Sequence, residues 1–93
     1  MGFNQTYSAI NRAWEANFEG RVPEREMNYV SNKMKRLQTA FQNEQYQKAI
    51  ATTKTLFGYF LRIAHKKSNP LRTPALKIVE CFWSLEGILQ RKL

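Results

Sequence analysis

Ninety-three residues carry fifteen Lys and Arg against seven Glu and no Asp, giving a net charge of +8 and a pI near 10.0. A chain of this length builds one modest core, which excludes a second domain or a large deep pocket. The missing Asp excludes calcium loops and Asp-based carboxylate pairs. The single Cys excludes an internal disulfide, and no apolar run reaches the ~18 residues of a membrane span. No secretory signal is evident, so the expectation is one cytoplasmic domain over residues 1–93.

Phe3, Tyr7, Ile10 and Trp14 step by 4-3-4, which lines one face of a first helix over about 3–18. Gly20 ends it, and Val22 before Pro23 is held extended. Pro23 suits the first turn of a second helix, about 23–42, with Glu24 and Glu26 near its positive end. Met27, Val30, Met34, Leu37 and Phe41 form its packing seam. Arg25, Asn32, Arg36 and Thr39 fall on the far side, with Lys33 and Lys35 on the flanks.

Gln42-Asn43 is the expected break, with Asn43 capping a third helix over about 44–67; one unbroken helix is the competing arrangement. Tyr46, Ile50, Thr53, Phe57, Phe60 and Ala64 are its predicted stripe, and Lys48, Arg62 and Lys66 share the opposite face. Gly58 costs about 1 kcal/mol in mid-helix, and a close helix crossing is the expected reason for it. After the loop 68–72, Thr73 and Pro74 are expected to open a fourth helix, about 74–92. Its seam is Ala75, Ile78, Phe82, Leu85 and Leu89. Leu76, Val79, Trp83 and Ile88 add apolar surface elsewhere on the cylinder. That surface belongs either to a central helix or to one that meets another chain. The fold expected is an all-α four-helix bundle.

Charge is distributed unevenly. Residues 27–77 hold ten bases and one acid, net +9. A block of one sign attracts polyanions through its field alone. The candidate phosphate contacts are Lys33, Lys35, Arg36, Lys48, Lys54, Arg62, Lys66, Lys67, Arg72 and Lys77. Lys and Arg at such spacing bind backbone without reading bases. Most aromatics fall on the seams, so duplex or structured RNA suits the pattern better than a stacked single strand.

Chemistry is thin elsewhere. His65 has no metal-ligand companions, and Cys81 on an apolar helix reads as a core residue. No carboxylate pair, Gly-rich phosphate loop or dinucleotide fingerprint is present. Neither a catalytic set nor a metal or cofactor is expected.

Residues 34–67 (MKRLQTAFQNEQYQKAIATTKTLFGYFLRIAHKK) resemble the helical N-terminal region of group II intron-type reverse transcriptases. Arg36-Leu37-Gln38 match its first helix, 43–46 its polar turn, and Lys48, Lys54, Leu56 and 62–67 its basic second helix. The resemblance covers about a third of the chain and implies contact with structured intron RNA. These 93 residues hold no polymerase domain, and a paired-Asp palm cannot be built in them without Asp. It therefore implies an RNA-binding accessory of a retroelement rather than a polymerase.

The expected partner is nucleic acid, RNA ahead of DNA, bound by a homo-oligomer whose repeated basic face raises avidity. One alternative is a protein-binding adaptor or phage-type inhibitor that uses Val79, Trp83 and Ile88. A further alternative is a membrane-associated, matrix-like protein. Met1-Gly2-Phe3-Asn4-Gln5-Thr6 fits the loose N-myristoylation form, and an acyl chain with a basic patch makes a two-signal anchor. The bulky Phe3 beside Gly2 ranks the membrane below the other partners.

Overall fold

The computed structural model describes residues 2–66 and 70–93. Four helices account for nearly all of them: α1 (Phe3–Phe18), α2 (Glu24–Gln42), α3 (Tyr46–His65) and α4 (Arg72–Gln90). They form an all-α four-helix bundle of 39 × 21 × 19 Å. No helix among the described residues is long and apolar enough to cross a membrane.

Short connections make sequential helices antiparallel. Phe41 near the end of α2 touches Tyr46 at the start of α3, and Phe60 on α3 stacks on Phe82 on α4. The most extensive contact is between α3 and α4; α2 packs on α3, and α1 packs on α4. α1 reaches α2 through long side chains. Phe3 stacks on Phe41 with ring centroids 3.8 Å apart, and Tyr7 Oη donates to the Met34 carbonyl at 2.8 Å.

The core lies where the four seams meet. Trp14, Phe18, Phe60 and Phe82 form a continuous aromatic centre, with Trp14 and Phe18 each edge-on to Phe60. Ile10, Val30, Met34, Leu37, Leu56, Ile78, Leu85 and Leu89 close around it. Polar atoms inside are few. Thr53 returns its hydroxyl to the Ala49 carbonyl within α3. The Trp14 indole N–H is buried with no acceptor among the described residues.

Four expectations need correction. Asn43 is the C-cap of α2 and not the cap of α3. Glu44 turns the chain at φ 58°, so α3 begins at Tyr46 and the unbroken-helix alternative falls. α4 starts at Arg72, one turn before Ala75 N–H bonds the Leu71 carbonyl, so Thr73 and Pro74 lie inside it. A Cβ on Gly58 would meet nothing within 4 Å, so no close crossing demands that glycine. The seam residues expected on α4 are all buried, and Val79 joins them at 8% exposure, facing the chain's own core.

Candidate nucleic-acid interface

The polar faces of α2 and α3 lie side by side. On α2, Arg25, Tyr29, Asn32, Arg36 and Thr39 repeat at 4-3-4-3. On α3, Lys48, Thr52, Thr55, Tyr59, Arg62 and Lys66 repeat at 4-3-4-3-4. Residues at these steps form a line along a helix. Since α2 and α3 are antiparallel, the two lines border one groove with a basic cluster at each end.

The end near the α2–α3 turn is a hollow of about 500 Å³ lined by Lys35, Arg36, Thr39, Gln45, Lys48 and Thr52. Lys35, Arg36 and Lys48 are exposed. The other end is a hollow of about 640 Å³ lined by Arg25, Glu26, Tyr29, Tyr59, Arg62 and Lys66. Between them the face is neutral: Thr52 and Thr55 return their hydroxyls to carbonyls one turn back. Fourteen residues separate Lys48 from Arg62, about 21 Å at the α-helical rise.

The second hollow has its own architecture. Tyr59 Oη donates to Glu26 Oε1 at 2.7 Å, joining α3 to α2. Burial, the Glu26 hydrogen bond and the Glu26 charge all push the Tyr59 phenol well above its ordinary value of 10.0, while nearby Arg62 pulls the other way. The Tyr29 ring lies 6.1 Å from the Tyr59 ring, tilted by 45°. Lys33 Nζ sits over Tyr29, 5.7 Å from its centroid. Tyr29 is nevertheless 39% exposed.

The structure sorts the predicted contacts. Arg36, Lys48, Arg62, Lys66 and Lys35 border the groove, and Lys33 reaches it through Tyr29. Lys54 does not: it projects toward α4 and pairs with Glu86 at 3.8 Å. Arg72 and Lys77 lie on α4, which packs on α3 and α1. Lys67 lies outside the described residues. No ion pair ties up a groove cation among the described residues.

Sequence reasoning left out Arg25, Tyr29 and Tyr59. The signal was the repeat itself: Tyr29 fills the missing step between Arg25 and Asn32.

Of the predicted protein-contact residues, Val79 is buried, Ile88 is half-buried and Trp83 is 70% exposed. Trp83 borders a hollow of about 700 Å³ between α1 and α4, with Thr6, Ala9, Cys81, Ile88 and Arg91. It also covers a smaller one of about 360 Å³ between α3 and α4. The Cys81 thiol in the first hollow is pushed up by burial and then by the Glu80 charge, which suppresses the thiolate. No three His, Cys or Glu side chains converge as a metal set among the described residues.

Comparison with known proteins gives no matching family model, no matching curated protein and no matching solved structure.

Proposed function

We propose that this protein is a non-catalytic nucleic-acid-binding protein whose α2–α3 groove holds the backbone of structured RNA, with duplex DNA the weaker target. The observation that carries this reading is the pair of basic clusters bordering a single groove, with no ion pair to their cations among the described residues. Arg36, Lys35 and Lys48 hold phosphates at one end; Arg25, Arg62 and Lys66 hold them at the other. The separation of about 21 Å spans on the order of six nucleotide steps at the 3.4 Å per-strand spacing of duplex DNA. The contacts position the chain on the backbone and carry no sequence information themselves. The resemblance of residues 34–67 to a reverse-transcriptase RNA-binding region favours RNA and an accessory role in a retroelement.

Fluorescence anisotropy with an RNA hairpin at several salt concentrations tests this. Released counterions should make log K fall linearly with log salt, losing several orders of magnitude over a few-fold increase. An affinity independent of salt would remove the phosphate contacts from the account.

Trp83 motivates a second reading, in which α4 binds a protein or a second copy of this chain. A large exposed aromatic between two hollows is typical of an interface anchor. In that case Trp83→Ala abolishes binding and charge reversal in the groove does not.

A further inference from the structure

The hollow at the open end of the α2–α3 groove differs from its counterpart near the turn. The turn end offers cations and small polar side chains. The open end adds an exposed aromatic ring and one carboxylate. In a site that only held phosphates Glu26 would serve the Tyr59 hydrogen bond and the start of α2 alone, since its charge repels phosphate. Glu26 and Tyr29 are three residues apart on α2, so their side chains are neighbours, about 5–6 Å between Cβ atoms.

We infer that this hollow binds an unpaired guanine nucleotide, with the base stacked on Tyr29, its Watson–Crick edge donating to Glu26, and its phosphate held by Arg25, Arg62 and Lys66. The inference rests on the groove reading above and supplies the base specificity that phosphate contacts lack.

The chemistry selects the base. An ionised carboxylate only accepts hydrogen bonds, and its two oxygens offer about four acceptor positions. Glu26 Oε1 already accepts from Tyr59 Oη, which fixes the carboxylate's orientation and leaves acceptor capacity on both oxygens. Guanine alone presents two adjacent donors, N1–H and the N2 amino group, on its Watson–Crick edge. Adenine and cytosine set one amino donor beside a ring nitrogen that repels a carboxylate, and uracil sets its N3–H between two carbonyls.

Tyr29 supplies the stacking surface. Lys33 covers one face of its ring and Tyr59 stands tilted beside it, so the ring is held in place while still partly open to solvent. Base–aromatic stacking tolerates any base, so discrimination falls to Glu26. Three cations against one carboxylate leave the hollow positive, as a nucleotide phosphate requires. A continuous duplex cannot offer this base edge; a bulge, loop or overhang can.

The test uses RNA hairpins that differ only in one bulged nucleotide, G, A, C or U, together with a bulge-free control, at one fixed salt concentration. The guanine bulge should bind roughly tenfold tighter than the other three, the usual worth of a good two-bond base contact. Glu26→Gln keeps an acceptor for Tyr59 but places a donor at the base edge. It should erase the guanine preference, weakening the guanine hairpin while tightening the other three slightly, because a repelling charge has gone. If Glu26 acted only through its charge, all hairpins would tighten and the preference would persist, overturning the inference. Tyr29→Ala should cut binding of all four bulges toward that of the control.

Guanosine and adenosine monophosphates, titrated alone, separate two sources of the ligand. A guanosine preference there means that the free nucleotide suffices. A preference confined to the hairpins assigns the site to the polymer. Four bulges binding alike, with steep salt dependence intact, would overturn the guanine site and leave the groove standing. Failure of every RNA to bind would remove both.

Discussion

Tyr7 of α1 donates its phenolic hydrogen to the Met34 carbonyl of α2 at 2.8 Å. This bond and the Phe3–Phe41 stack link two helices whose main packing partners are elsewhere. Tyr7→Phe keeps the ring and removes the donor. It should cost about 1 kcal/mol, the net worth of a typical buried hydrogen bond. Urea unfolding checks this: the midpoint should fall with the slope unchanged.

Gly58 gives a prediction of the opposite sign. The space beside its α-carbon is open, and its backbone is helical. Gly58→Ala should therefore stabilise the bundle by about 0.5–1 kcal/mol, through helix propensity and a less flexible unfolded chain. A loss of stability in thermal or urea unfolding would show that a neighbour does need the glycine's space.

Tyr59 makes stability depend on pH in the alkaline range. Its folded-state phenol is raised above 10.0, and burial raises Tyr7 as well. Above pH 10 the unfolded chain releases these protons and the folded chain keeps them. Stability from this source is complete below pH 10 and declines as pH rises beyond it. Tyr59→Phe should flatten that decline relative to the native protein, as measured by unfolding at pH 9, 10 and 11. Comparing the two proteins cancels the lysines, which titrate in the same range in both.

How much of this was legible in the sequence depends on whether one helix or two decided the matter. The bounds of α1 follow from its own residues: four apolar positions on one face and Gly20, which takes φ 76°. The α2–α3 turn was harder, because the left-handed position falls on Glu44, a residue type with no special liking for it. Thr73-Pro74 offered a good local start, but the helix begins earlier, where buried Leu71 anchors it. Lys48, Arg62 and Lys66 were readable as one face from the periodicity of α3 alone. Lys54, Arg72 and Lys77 were not, because the neighbour beside each flank is a tertiary fact. Tyr29 was missed because aromatics were expected on the seams; its step between Arg25 and Asn32 was readable, but the approach of Tyr59 is a tertiary fact.

Trp83 separates stability from function. At 70% exposure it contributes little to the core, so Trp83→Ala should change unfolding free energy by no more than about 0.5 kcal/mol. If α4 joins two copies of the chain, the same substitution should lower the association constant in sedimentation equilibrium. An unchanged mass distribution, with the native protein self-associating, would place any interface elsewhere.

The most direct test of the groove compares two sets of charge reversals in RNA binding across salt concentrations. One set lies in the groove: Arg36→Glu, Lys48→Glu and Arg62→Glu. The other carries the same charge change off it: Lys54→Glu and Lys77→Glu. If the groove holds the backbone, each groove variant should weaken binding and reduce the slope of log K against log salt by about 1, while the off-groove variants keep the native slope. Equal losses from both sets would mean that net charge alone drives binding, contradicting the groove as the site.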